Sequence, residues 1–251
     1  MSSSEFDLIE SIVRSQTLRR DDVMLGIGDD CALLSIPAGM ELAVSLDTLV
    51  CGRHFFPDAN PELIGHKALA VNLSDLAAMG AEPTWVTMGL TLPEADTEWL
   101  SAFMRGFTAL ASNHGVQLVG GDMTSGPLTI SLQAHGLVPT GKAIRRCGAK
   151  PGDLVYVSHT IGDAGLALAM LKGDIMATDE LHTLRQHLES PQPRIKLGIA
   201  LRDLATAAID LSDGLASDLG HLCQQSQCGA EIETHRLPLS TCLLYTSDAA
   251  D

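Results

Sequence analysis

The chain is predicted to be an α/β protein of two domains. Three observations carry that expectation. Short runs rich in Val, Leu, Ile and Thr alternate with longer segments whose apolar residues recur at helical spacing. The turn sequence Lys150-Pro151-Gly152-Asp153 interrupts the alternation past the middle. With 251 residues, 45% hydrophobic and 19% charged, the chain is long enough for two moderate cores and too apolar for disorder.

Residues 5–14 read as an amphipathic helix, and 42–50, "LAVSLDTLV", as a strand that carries Asp47. A helix follows, with Asn60 as its N-cap, Pro61 at its first position and Gly80 closing it; Asp75 lies within it in "VNLSDLAAMG". Residues 84–92 form the next strand. A helix over 97–113 places Trp99, Leu100, Phe103, Met104, Phe107 and Leu110 on one face and stops before Gly115. Residues 116–138 read as two strands joined by a glycine-rich turn holding Asp122. The first domain is expected to run to about residue 145. The second, 150–242, is predicted as a strand (154–158), a helix (163–172), helices around 178–189 and 193–206, a short strand in "AAIDLSD" (207–213) and a helix from 214. Residues 243–251 continue neither pattern and are expected to be a non-native tail. Met24, Met79, Met88, Met104 and Met170 are expected in the core.

Several functions are disfavoured. A net charge of −15 suits no phosphate backbone, so nucleic acid is not an expected partner. No apolar run reaches the roughly 18 residues of a membrane span, and the first ten residues lack the pattern of a secretory signal. A cytoplasmic location follows as the expectation. Six cysteines without a C-x-x-C pair argue against a zinc ribbon and for reduced, mostly buried thiols, Cys31 included. Neither a G-x-x-x-x-G-K-[ST] loop nor the H-R-D and D-F-G of protein kinases is present, and "GIGDDC" matches only half of a dinucleotide fingerprint.

The repeated chemical feature is an acid delivered by small residues at the end of an apolar segment: Asp29-Asp30, Asp47, Asp75, Asp122, Asp210 and Asp213. Singly, each could cap a helix or form an Asx turn. Jointly, they suit hard cations, since a buried carboxylate costs several kcal/mol unless it is paired or binds metal. Within the first pair, Asp30 is the expected ligand and Asp29 the support of the turn. Gly120-Gly121 would let backbone N–H groups approach a phosphate. His54 reads equally as a ligand contact or a structural histidine, and Arg145-Arg146 as a solvated pair or a phosphate clamp.

Five segments, "GIGDDCALL", "SLDTLVCGRHF", "KALAVNLSDLAAMGAEP", "GGDMTSGPL" and "IDLSDGLASDLGH", together resemble the thiamine-monophosphate kinase family, within the aminoimidazole-ribonucleotide-synthetase-like ATP-binding superfamily. The resemblance runs from about residue 5 to about residue 240. It implies phosphorylation of thiamine monophosphate to thiamine diphosphate, with ATP as co-substrate and several Mg²⁺ ions, by direct in-line transfer without a protein nucleophile. It also implies a homodimer in which the N-terminal domains form a β-barrel. Carried over, Asp30, Ser45, Asp47, Asp75, Asp122, Asp210 and Asp213 match metal-binding positions. Gly121, Asp122, Arg146 and Ser212 match ATP contacts, and His54 a substrate contact. Leu46 stands where the family commonly has Thr, and His159 and Ala164 where Gly and Ser are frequent. The family continues through a Gly-Gly-Glu-Asp-Tyr segment and a stacking aromatic, so the second domain is expected to be incomplete. The alternatives are another ATP-dependent member of the superfamily, or a nucleotide- and metal-binding fragment without turnover.

Overall fold

A computed structural model describes residues 18–179 and 181–248, with side chains described through 244. The helix expected over 5–14 lies outside them. Strands β1 (Val23–Leu25) and β2 (Leu33–Leu34) form a small antiparallel ribbon. Strands β3 (Met40–Val50), β4 (Glu82–Leu92), β5 (Gln117–Ser125) and β6 (Thr129–Pro139) make one sheet in the order β3-β6-β4-β5. β6 pairs antiparallel with both β3 and β4, whereas β4 and β5 run parallel. The sheet is open: β3 and β5 are its two edges, and no barrel closes among the described residues.

Helices α1 (Pro61–Ala78) and α2 (Thr97–His114) cover one face of the sheet. Their starts follow from local chemistry. Asn60 accepts a hydrogen bond from the Glu62 amide, and Asp96 accepts from those of Glu98 and Trp99. Their ends fall at Gly80 and Gly115, both at positive φ, where a side chain would be strained. The helices cross with almost no space between backbones: a Cβ on Gly65 would sit 2.0 Å from the Phe103 carbonyl, and one on Gly106 1.8 Å from that of Glu62. Leu69, Leu73, Leu76, Leu100, Phe103, Met104, Phe107 and Leu110 then pack on Val86, Met88, Leu90, Ile130 and Leu132. Trp99 stacks on Phe103 with ring centroids 5.3 Å apart.

The β1–β2 ribbon is fixed to the opposite face. Val23, Ala32 and Leu34 pack on buried Trp85, Val119 and Leu137, and the Trp85 indole donates to Asp22 at 3.0 Å. This mounting holds the Gly26–Cys31 loop, but it leaves Met24 and Cys31 in solvent. Met24 is 63% exposed, and none of the six thiols is fully buried. The expectation of a core Met24 and a buried Cys31 fails because a two-stranded ribbon has one covered face only, and the other five thiols are only partly buried. Met88, Met104 and Met170 are buried, and Met79 is partly so.

Beyond residue 150 the helices α3 (Asp163–Lys172), α4 (Leu181–Glu189), α5 (Ile195–Ala200), α6 (Leu215–Ser226) and α7 (Thr241–Asp248) are joined by irregular chain and a 3₁₀ turn at Thr234–Arg236. Leu166, Ala167, Met170 and Leu184 form a second, small core, against which Cys242 and Leu243 of α7 pack. The strands expected over 154–158 and 207–213 are absent from the described residues. A strand needs a ladder neighbour. Leu154, Val155 and Tyr156 are exposed instead, and Ala208 makes one backbone bond, to the Arg145 carbonyl at 3.1 Å. The helix expected over 193–206 is shorter, because Asp203 adopts φ 66° and ends the following turn. α5 docks on the first domain: a Cβ on Gly198 would lie 2.0 Å from the Ala77 carbonyl, and Arg202 donates to the Gly80 carbonyl at 2.6 Å.

Candidate active site

Along β3 side chains alternate. Ala43 and Leu49 face the helices, so Ser45 and Asp47 share that face, while Leu42, Val44 and Leu46 are exposed on the other. Asp75, two helical turns beyond Lys67 on α1, reaches across to β3, where the Ser45 hydroxyl donates to its Oδ2. Burial, and then the negative charge of Asp75, raise the Asp47 carboxyl above its usual range. Asp210 joins from the second part of the chain. Burial pushes its carboxyl up to about 6, Asp75 adds to the rise, and Arg146 opposes it. The Arg146 guanidinium stands 4.0 Å from Asp210 Oδ1. These three acids and the hydroxyl therefore gather in one cleft, a local surplus of negative charge with Arg146 beside it.

The flanking loops are held by the start and end of α6. The Asp218 carboxylate, 2% exposed, accepts from the amides of Ser212, Asp213 and Gly214 at 2.9, 3.1 and 3.1 Å. At the other end, the Ser226 hydroxyl donates to the Arg146 carbonyl at 3.0 Å and accepts from the amides of Gly148 and Ala149. One helix thus fixes the loop of Ser212 and Asp213 and the loop of Arg146. Asp218 was not among the residues expected from sequence. Its signal was present in "LSDGLASD", an acid four residues after a glycine at a helix start, which is the spacing of a carboxylate folding back on its own N-terminus.

The remaining predicted residues lie elsewhere. Asp122 and Gly121 sit on edge strand β5. They line a shallow depression of about 270 Å³ on the outer face with Leu46, Thr87, Ser131 and Gln133. Two strands separate β5 from β3, roughly 14 Å at about 4.8 Å per strand. Asp30 lies in the ribbon loop on that same outer side, its amide bonded to Asp29 Oδ1 at 2.8 Å, as a turn-supporting Asp29 requires. The acids therefore form two groups: Ser45, Asp47, Asp75 and Asp210 on the helix side, Asp30 and Asp122 on the outer side. Among the described residues no three His, Cys, Asp or Glu side chains are close enough to enclose an ion. His54 follows the end of β3, with its Nδ1 accepting from the Val50 amide at 2.9 Å. It lines a cavity of about 190 Å³ with Phe55, Phe56, Lys67, Leu168 and Leu188.

Fold and cleft together define a class. The family described as AIR synthase related protein matches in both its parts, the N-terminal domain over residues 28–138 and the C-terminal domain over 150–246. The same fold recurs in E. coli HypE, a hydrogenase maturation protein, at 23% identity and a TM-score of 0.80, covering 98% of this chain and 77% of that one. Within that class the chain belongs to the thiamine-monophosphate kinase family. It is 52% identical to the thiamine-monophosphate kinase of Salmonella typhimurium over 250 residues, 99% of this chain and 77% of that one. The Escherichia coli K12 kinase is also 52% identical, over 97% of this chain and 75% of its own. The crystal structure of the Stenotrophomonas maltophilia kinase superposes with a TM-score of 0.87 at 47% identity, covering 97% and 78% of the two chains. AaThiL, solved in complex with AMPPCP and TMP, gives 0.79 at 30% identity over 98% and 77%.

Proposed function

We propose that this chain transfers the terminal phosphoryl group of ATP to the phosphate of thiamine monophosphate, giving thiamine diphosphate and ADP. The observation that carries the reading is the convergence of Ser45, Asp47, Asp75 and Asp210 with Arg146 in a chain half identical to thiamine-monophosphate kinases. AaThiL, a relative with the same fold, binds AMPPCP and TMP together.

The cleft suits Mg²⁺. Its donors are hard oxygens, and two of its carboxyls are raised by burial and by Asp75, a cost that a divalent cation would relieve. They gather without forming a closed cage, which leaves room for waters and phosphate oxygens as further ligands. Ser45, Asp47, Asp75 and Asp210 would hold ions there, with Asp213 at the rim and Asp30 and Asp122 serving the outer group. The ions would neutralise charge on the transferring phosphoryl group. The protein's own part is positioning. Arg146 supplies a fixed positive charge toward ATP, Ser212 and the Gly121 amide supply hydrogen bonds to it, and His54 contacts the acceptor. Neither phosphate needs a protein nucleophile, because the acceptor phosphate oxygen attacks directly.

The two acid groups must meet on one phosphate chain, and a second copy supplies the means. Edge strand β3 presents Leu42, Val44 and Leu46 to solvent, an apolar stripe that a homodimer would cover as the open sheets close into a barrel. Six free thiols suit a reducing cytoplasm. In the experiment that tests this reading, the chain with ATP, Mg²⁺ and thiamine monophosphate forms thiamine diphosphate, and Asp47→Asn lowers turnover by about two orders of magnitude or more with the fold retained. Wild-type turnover in Asp47→Asn would remove Asp47 from the metal site.

A further inference from the structure

We infer that Lys67 is a positioning residue of the acceptor site, acting through His54; this rests on the proposed contact between His54 and thiamine monophosphate. The Lys67 ammonium, on α1, donates to the His54 carbonyl oxygen at 3.0 Å. The His54 amide in turn donates to the Val50 carbonyl at 2.9 Å, and the Val50 amide donates to the His54 ring Nδ1 at 2.9 Å. The histidine is thus held from both sides, main chain and ring. With Nδ1 accepting, a neutral imidazole carries its proton on Nε2, which leaves that atom as the donor to a ligand oxygen.

Lys67 lies against the 190 Å³ cavity that His54 and the two phenylalanines line. An ammonium is costly in such company. Burial lowers its pKa, and the carboxylate of Glu189, reaching over from α4, offsets part of that. A packing role would be filled more cheaply by leucine or methionine. What a lysine adds is a charge-assisted bond to one carbonyl, stronger than a neutral one. The turn it ties down contains Gly52 at φ 76°, and its backbone bonds close within it, from the Gly52 amide to the Phe55 carbonyl at 2.9 Å and from the Arg53 and His54 amides to the Val50 carbonyl at 3.1 and 2.9 Å, so Lys67 is what ties it to α1. Lys67 and Asp75 also share α1, so one rigid helix sets the distance between the acceptor-site histidine and the acid cleft.

Calorimetric titration of the chain with thiamine monophosphate, and separately with a non-hydrolysable ATP analogue, tests this without requiring turnover. Lys67→Met is expected to weaken thiamine monophosphate binding about tenfold, the size of one hydrogen bond to a charged group. Lys67→Arg should restore it to within about twofold, and the analogue should bind all forms alike. Because Lys67 acts through His54, the double variant His54→Ala/Lys67→Met should bind no more weakly than His54→Ala alone. Additive losses, equal losses for both ligands, or a Lys67→Met form that binds like wild type would each overturn the inference and leave the kinase reading intact. A wild-type chain that binds the analogue but no thiamine monophosphate, or a His54→Ala form that binds it normally, would overturn the acceptor-site reading and this inference with it.

Discussion

Asp210 shows most directly what gathering these acids costs. Its folded carboxyl is raised to about 6, above the ordinary aspartate value of about 3.9, so the folded chain holds this proton more tightly than the unfolded one. The penalty is therefore fully present above pH 6, shrinks as pH falls through that value, and is gone below about pH 4. Asp210→Asn is expected to raise the thermal midpoint of the metal-free chain at pH 7.5, by up to about 2 kcal/mol of stability, with no gain at pH 4. An equal gain at both pH values would show that the effect is not the carboxylate's charge. Among single residues, the acids were legible in sequence because small residues deliver each of them from an apolar segment. Their division into two groups was not. Whether Asp47 and Asp122 share a face depends on strand order, and nothing local to "LVGGD" records that two strands come between.

Helices α1 and α2 were legible within a residue or two. Asn60-Pro61 and the glycines at 80 and 115 are local signals, and they bound the helices close to where the structure does. The segments 154–158 and 207–213 show the opposite case. Their apolar residues suit a strand, but a strand is defined by its neighbour, and none of the described residues supplies one. The crossing of α1 over α2 also has a local mark, since Gly65 and Gly106 lie where backbone meets backbone. Alanine at 106 would gain about 1 kcal/mol of helix propensity, yet its Cβ would lie 1.8 Å from the Glu62 carbonyl. Forcing the helices apart costs about 1–3 kcal/mol, so Gly106→Ala should lower the urea midpoint despite the better helix former. An unchanged or higher midpoint would mean that the two helices are free to separate at their crossing.

At the scale of the whole molecule, the sheet has two open edges and an exposed apolar stripe on β3, while acids stand on both of its faces. The proposed homodimer, closed through that stripe, would account for both features. Charges at two of its positions, Val44→Glu with Leu46→Glu, should convert a dimer to a monomer in light scattering, because like charges would then face one another across the interface. A double variant that stays dimeric would move the interface to another surface. The proposed chemistry is direct transfer between two phosphates in an acid-lined cleft. The most direct measurement is to supply ATP labelled at its terminal phosphate, with Mg²⁺ and thiamine monophosphate, and to follow the label. The expected result is label in thiamine diphosphate, with none on the protein after rapid quenching. Label held covalently on the chain, or released only as inorganic phosphate, would contradict it.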